Sequence, residues 1–562
     1  MQQICANTWC KRSFEIADED LKFFDSVSPT FDGKKQQISP PKMCPACRQQ
    51  RRLMFRNERK LYRSTCAASA LPILSIYAPT GPYTVFSREE WWSDKWDALS
   101  YGRDYDPKRP FSEQLKSLYQ DVPHVGLYNV NIENSSYTNY ALNQKNCYLL
   151  FGAGDNEDCL YGKFVVYCKD VVDSLAVYSC ELCYEGIASE QCYGCRYFVH
   201  SRDCSNCTMV EDCLACSDCI GCFGLRSKRY HMFNKAYSKE EYERQAERYK
   251  NLTPAVVQEL RDGLEKLKAT LPHVHAHLYA CEHCTGESVY NSKNCFSAFD
   301  CKNCEDCKYI YFSPKTLRTQ DCAFCAPDGD RFCYNVCSTV DLESSLGCFY
   351  VWYGSNMYYS LECHYNSDIF GCVGLRHKQY CVLNKQYTKE EYEKLVSRII
   401  ESMRADGTWG EYLDAGVSPF AYNETIAQEY FPLTEEEVLK RGWQWREEKD
   451  EVPKVEKIIP AAQLPESIDD IPDDILNWAI ECQETKRPFT VTSQELDFYR
   501  KMHIAVPRIH PDERHAHRLA QHSQCTLFSR ACAKCEKPIQ TTYAPDRPEI
   551  VYCEECYLKE VY

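Results

Sequence analysis

Between Leu142 and Leu225 the chain repeats every twelve residues, and cysteine marks the period. In successive twelves the third column holds Cys168, Cys180, Cys192, Cys204 and Cys216. The sixth holds Cys147, Cys159, Cys183, Cys195, Cys207 and Cys219. A period this short predicts stacked rungs, each burying its inner face only against its neighbours. Residues three apart on an unbroken strand point to opposite faces, so two inward cysteine columns require a corner between them. The fifth column supplies it, with Asn146, Asp158, Asp170, Gly194, Asn206 and Asp218, residue types that tolerate left-handed backbone. The expectation is a β-solenoid with two thiol columns stacked at roughly 4.8 Å. Coils of twelve or twenty-four residues both fit. The thiols have three readings. Cys is a small side chain that suits a narrow core; four thiolates such as Cys180, Cys183, Cys192 and Cys195 suit one metal ion; or the C-x-x-C pairs carry thiol-redox chemistry.

The solenoid is duplicated. Residues 221–243 return as 371–393 with 15 of 23 positions identical at an offset of 150, and NQKNC ending at Cys147 returns as NSKNC ending at Cys295. The second copy keeps C-x-x-C pairs at Cys301/Cys304, Cys304/Cys307 and Cys322/Cys325, but its period slips. Ser238 with Glu241 and Thr388 with Glu391 form capping boxes that start helices closing each array, and a further helix over about 254–271 separates the two copies. The GLR…NK…KEEYE block is read as this closure, with a binding loop around Arg226, Lys228, Arg376 and Lys378 as the alternative. The Trp- and Tyr-rich stretch from Glu89 to Leu115 is expected to dock the first module onto a solenoid end.

Two sets of four cysteines have metal-ligand spacing: Cys5, Cys10, Cys44 and Cys47, and Cys532, Cys535, Cys553 and Cys556. Zn²⁺ takes four soft ligands in a tetrahedron, and all-cysteine ligation leaves no open position, so both sites read as structural. The two ends are related. Residues 41–91 match 507–557 at 16 of 51 positions without gaps. The parent module reads as two consecutive ribbons, of which each copy keeps a different one. Ser69, Ser87 and Glu90 stand beside Cys66 in one copy, and Thr485, His510 and Glu513 beside Cys482 in the other. About two zinc ions per chain are expected.

The run FEIADEDLKFF…PPKMCPACRQQRRL resembles the zinc-ribbon family that ends in C-P-x-C-R-x-x-R-R, over about 60 residues. The resemblance implies zinc at Cys5, Cys10, Cys44 and Cys47, although four residues separate the first pair where the family has two. The whole layout resembles cysteine-rich zinc-ribbon proteins of ultrasmall uncultivated bacteria, a group with no assigned activity, which implies no function.

The chain has 38 Cys among 562 residues, and its first residues contain no apolar stretch of secretory type. That combination predicts a reduced, cytoplasmic protein with metal sites rather than a disulfide framework. No segment reads as membrane-spanning. A net charge of −15 argues against nonspecific nucleic-acid binding by the whole surface. However, the helix following the first ribbon carries Arg48, Arg51, Arg52, Arg56, Arg59, Lys60 and Arg63 against Glu58 alone, a candidate phosphate reader or a solvated face. His273, His275, His277, Cys281, His283 and Cys284 are a candidate open metal site, or plain first-rung residues. No phosphate loop, nucleophile elbow or H-E-x-x-H is present.

The expected fold is mainly β with helices: two cysteine-cored β-solenoids with helical caps, flanked by zinc-ribbon modules. In chain order the parts are a ribbon with its basic helix (1–65), a degenerate ribbon and aromatic connector (66–130) and the first solenoid (131–237). A helical cap (238–272), the second solenoid (273–387) and a capping helix (388–404) follow. An acidic linker (405–480) and the C-terminal ribbons (481–562) complete the chain. The function expected is a non-enzymatic zinc scaffold with a protein or nucleic-acid partner. The alternatives are a nucleic-acid binder using Arg48–Arg63 and a thiol-redox or metal-loaded enzyme.

Overall fold

A computed structural model describes residues 1–323, 331–334, 342–347, 352–447, 453–522 and 525–561; Cys325 lies outside them. The chain mixes helices with many small sheets and one long parallel ladder. It divides into two compact units, each discontinuous in sequence: Met1–Leu127 with Leu278–Arg446, and Tyr128–His277 with Glu447–Tyr562. Among the described residues no helix is long and apolar enough to cross a membrane.

In the second unit, parallel strands from Asn129 to Met232 pair residue by residue with a shift of twelve: Leu142 with Gly154, Val165 with Val177, Tyr184 with Arg196, Cys219 with His231. Five consecutive strands, from Gly154–Glu157 to Glu181–Glu190, pair in a closed ring. The reason is in the backbone. From Asn131 to Phe233 every third residue has positive φ, between +44° and +69°. The fifth-column corner is therefore one of four in each twelve residues; the others fall in the second, eighth and eleventh columns. With a corner every three residues, every third side chain points inward. The core is accordingly Cys147, Leu150, Ala153, Cys159, Val165, Cys168, Val171, Val177, Cys180 and so on to Cys222.

This geometry leaves one backbone amide in three without a ladder partner, and where the inward side chain is Ser, Asn or Cys it supplies one. Tyr148 N–H donates to the Cys159 carbonyl and Leu149 N–H to that of Ser136. Cys147 N–H instead donates to Ser135 Oγ at 2.8 Å, Cys168 N–H to Asn156 Oδ1 at 3.0 Å and Ser201 N–H to Ser189 Oγ at 3.0 Å. The same inward groups donate to the carbonyl two residues back, Ser201 Oγ to Val199 at 3.0 Å and Cys180 Sγ to Tyr178 at 3.4 Å. A buried amide without a partner costs about 1–3 kcal/mol. Small side chains that both donate and accept, Cys and Ser above all, therefore suit these columns beyond their size.

The first unit contains the same construction. Every third residue from Ser288 to Asp321 and from Tyr353 to Leu383 has positive φ. Pairs such as Val289/Cys301, Gly354/Asn366 and Ile369/Cys381 keep the shift of twelve. The slip in the period is local: Leu278 pairs with Val289, one residue short, and Gln320 with Tyr334, two residues long. The helices Lys239–Ala246 and Lys389–Ala405 follow the ladders, and Ser238 and Thr388 cap them through the amides of Glu241 and Glu391.

The described residues of 405–480, which leave out 448–452, do not form the linker their acidic, Pro-containing composition suggested. Trp409, Tyr412, Phe420, Tyr422 and Ile426 are buried in the first unit. Ala461, Leu464, Ile468, Ile471 and Ile475 belong to the core of the second. The acids and prolines occupy short turns, and the spaced aliphatics between them turn inward. The aromatic connector packs on the second ladder of the duplicate pair, not on the first, which follows it in the chain. Asn384 donates to the Ala98 carbonyl at 3.0 Å, and the Arg376 guanidinium lies 5.4 Å from the Trp91 ring.

Candidate metal centres

Four antiparallel hairpins share one knuckle: Gln2–Ile4 with Ser13–Glu15, Tyr62–Thr65 with Pro72–Ser75, Trp478–Glu481 with Pro488–Phe489, and Phe528–Ala531 with Pro538–Thr541. In each, a cysteine opens the knuckle and a left-handed residue closes it: Lys11, Ala70, Lys486 and Glu536. In each, the opening sulfur accepts an amide from the start of a helix that follows. Cys44 N–H reaches Cys5 Sγ at 3.3 Å, Ser87 N–H Cys66 at 3.2 Å, His510 N–H Cys482 at 3.3 Å and Cys553 N–H Cys532 at 3.2 Å.

In the outermost two hairpins these parts bring four sulfurs together. Within each of the sets Cys5, Cys10, Cys44, Cys47 and Cys532, Cys535, Cys553, Cys556, all ligand atoms lie within 4.8 Å of one another. Cys10 and Cys44 sulfurs are 3.7 Å apart, as are those of Cys535 and Cys553. Four sulfurs about 2.3 Å from a tetrahedral ion stand about 3.8 Å apart, so the spacing fits a metal of that size. Hydrogen bonding with Cys47, the largest influence, holds the Cys44 thiol down to about 5 against its burial. Burial works to raise Cys532, but the amides of Cys553 and Cys535 outweigh it and hold the thiol down to about 6. In each set one thiol is thus held as the readier thiolate, while its neighbours Cys47 and Cys556 are pushed up. In the two inner hairpins the substituted positions have become helix caps: Ser87 Oγ accepts from Glu90 N–H, and His510 Nδ1 from Asp512 N–H.

The basic helix, Pro45–Leu53, turns its arginines inward. Arg48 holds Asp321 through two bonds of 2.6 and 3.1 Å, and Arg52 lies 3.5 Å from the same carboxylate, all three buried. Arg51 pairs with Glu411 at 2.9 Å, and Arg56 with Glu58 at 2.7 Å. Arg59 and Lys60 are half-buried and Arg63 is exposed. Burial works to lower Arg48, yet Asp321 outweighs it and the guanidinium stays charged. The helix Pro511–Gln521 repeats the arrangement in the other unit: Arg514 pairs with Asp173, and Arg518 reaches Asp173 at 3.0 Å and Glu185 at 2.9 Å. Each leading guanidinium also lies over a tyrosine one rung below its aspartate, Arg48 over Tyr309 at 5.4 Å and Arg514 over Tyr161 at 4.7 Å. The signal was present in the sequence. Arg48 and Arg52 recur as Arg514 and Arg518 at the offset of 466 that relates the termini, and Tyr161 and Asp173 recur as Tyr309 and Asp321 at an offset of 148.

The remaining candidates are placed as follows. Cys180, Cys183, Cys192 and Cys195 are free thiols in the ladder core and are not among the groups of ligand atoms within 4.8 Å. His273, His275 and His277 belong to one unit and Cys281, His283 and Cys284 to the other. His273 Nδ1 lies 3.3 Å from the Tyr543 hydroxyl, and His277 Nε2 lies 3.6 Å from Asp212. Cys281 and Cys284 make the ladder bond to the carbonyl two residues back, each at 3.4 Å. Arg226 pairs with Asp212 and is buried, Lys228 is exposed, and Lys378 is half-buried. No protein family, curated protein or solved structure matches this chain.

Proposed function

We propose that this chain is a non-enzymatic zinc scaffold, in which two cysteine-cored β-solenoids are each clamped by a terminal module built on a zinc ribbon. One observation carries the reading. The arginines beside the four-cysteine sites, Arg48 and Arg52 in one module and Arg514 and Arg518 in the other, hold aspartates of the ladder in their own unit. The modules are thus brackets for the solenoids. Zinc is favoured over other ions by the four-thiolate donor set and its tetrahedral spacing. A closed site of this kind supplies folding energy and no reactive position. The parallel shift of twelve and the corner at every third residue favour a solenoid over an open sheet.

Native mass spectrometry with elemental analysis, on protein kept reduced, tests the reading together with a native thiol count. Two zinc per chain and ladder thiols that react only after unfolding are expected. Four or more metals, iron, or fast-reacting ladder thiols would overturn it in favour of a metal-loaded or thiol-redox enzyme.

A further inference from the structure

The knuckle of the N-terminal site carries a feature that neither the fold nor the metal explains. Trp9 is 48 % exposed. Two hydrogen bonds tie its loop to the cluster: Trp9 N–H donates to Asn7 Oδ1 at 3.1 Å, and Asn7 Nδ2 donates to Cys47 Sγ at 3.3 Å. The Arg441 guanidinium lies 5.7 Å from the Trp9 ring and 5.3 Å from that of Trp443, and Lys440 Nζ lies 5.9 Å from Trp9. Trp443 in turn stacks on the buried Tyr422 at 5.4 Å and 16°. An exposed indole is thereby mounted on an alternating stack of cation and aromatic rings anchored in the core.

Lys11 and Arg12 extend from the same knuckle and are exposed. Among the described residues, none of Lys11, Arg12, Lys440 and Arg441 has a carboxylate within ion-pair distance. The acids of the adjoining helix lie at its start. Glu437 caps that helix through Thr434 and also acts electrostatically on Arg441, while Glu435 and Glu436 are exposed. Two cations over a half-exposed indole, with two more exposed cations following it in the same knuckle, suit a ligand that combines flat aromatic faces with regularly spaced negative charge.

We propose that Trp9, Lys11, Arg12, Lys440 and Arg441 form a binding site for single-stranded nucleic acid, with a base stacked on the indole and phosphates on the four cations. A single strand fits better than a duplex because its bases are free to stack on one ring, a contact tolerant of sequence. The site is independent of the scaffold reading, and it uses none of the arginines committed to Asp321.

Fluorescence anisotropy of labelled oligouridine and oligothymidine on the full-length, metal-loaded protein tests it, with a duplex of equal length for comparison. The expected result is binding to the single strands that weakens between about 50 and 200 mM salt. Trp9→Ala should weaken it about ten-fold or more and Trp9→Phe much less. Arg441→Glu should weaken it and reduce the salt slope by about 0.7. Equal metal content in all variants shows that the knuckle is intact; should Arg441→Glu lose metal, the comparison of Trp9→Ala with Trp9→Phe decides. No binding to single strands at low salt, binding indifferent to Trp9→Ala, or equal binding to polyglutamate would each overturn the proposal.

Discussion

At the scale of single residues, the inward positions of the ladder do two tasks that are hard to combine. They must fit a narrow core, and the polar ones also complete the hydrogen bonding of a backbone that bends at every third residue. Ser201 shows both, donating to Val199 and accepting from Cys213 N–H at 3.3 Å. Ser201→Ala adds no bulk and removes donor and acceptor, and should lower the urea unfolding free energy by about 1–3 kcal/mol. Ser201→Cys should stay within about 1 kcal/mol of wild type, and equal losses for the two variants would refute a polar role. Glu362 gives a second residue-level expectation. It is buried and accepts from Tyr77 at 2.6 Å, Tyr119 at 2.5 Å and His124 at 3.0 Å. Burial works to raise its carboxyl, but His124 and the two phenols outweigh it and hold the group down to about 2. A depressed acid adds stability that is fully present above its unfolded pKa near 4.3 and is lost as pH falls toward 2, roughly 3 kcal/mol in all. Glu362→Gln should therefore be less stable than wild type at pH 7, with the gap narrowing between pH 5 and 2. Parallel stability curves would show that the carboxylate is not linked to folding.

At the scale of elements, one helix and one ladder edge meet through a pair of arginines and a buried aspartate, twice in the molecule. Removing one partner of such a group leaves charge buried without compensation, at a cost of about 3–5 kcal/mol. Asp321→Asn should lower the melting temperature and open residues 1–127 to limited proteolysis. Asp173→Asn should do the same for residues 447–561. A double variant Asp321→Asn with Arg52→Met should cost less than the sum of its singles, because the second change removes the stranded cation; simple additivity would place the two residues outside a common network. The four-cysteine sites were readable from spacing because their ligands come in short local pairs. The fifth-column corner was readable because Asn, Asp and Gly carry a turn preference. The corners at Tyr161, Phe164 and Tyr167 were not, since aromatic residues carry none and only the closing coil imposes the bend. The role of Arg48 and Arg52 was hidden because Asp321 is more than 260 residues distant in sequence, so the helix read as a free basic face. The acidic stretch misled in the opposite sense. Its composition is that of a linker, and only the spacing of Ile468, Ile471 and Ile475 hinted at a buried side.

At the scale of the whole molecule, the chain crosses between its two units at Leu127, His277 and Arg446. The N-terminal module shares a unit with the later ladder, and the C-terminal module with the earlier one. The segments leading into the ladders obey the same exchange. His124–Val125 pairs with Val85–Phe86 of the N-terminal module, and His273–Val274 pairs with Val551–Tyr552 of the C-terminal one. Each module therefore holds the segment that leads into one ladder while its arginines grip the other. This exchange follows from the duplications. Two related modules and two related ladders, with the same arginine pair and the same Tyr–Asp socket, allow either pairing chemically, and the fold uses the one that is remote along the chain. If each unit is self-sufficient, as its own core and its own four-cysteine cluster imply, residues 1–127 joined to 278–446 should fold without the rest. A flexible linker of about twenty Gly and Ser residues, roughly 25 Å on average and far longer when extended, joins the two pieces in the test. The shortened protein should bind one metal ion, unfold in a single transition and lose that transition with Asp321→Asn. Failure to fold with metal bound would mean that this unit does not stand alone, and that the arginine socket is not enough to hold it.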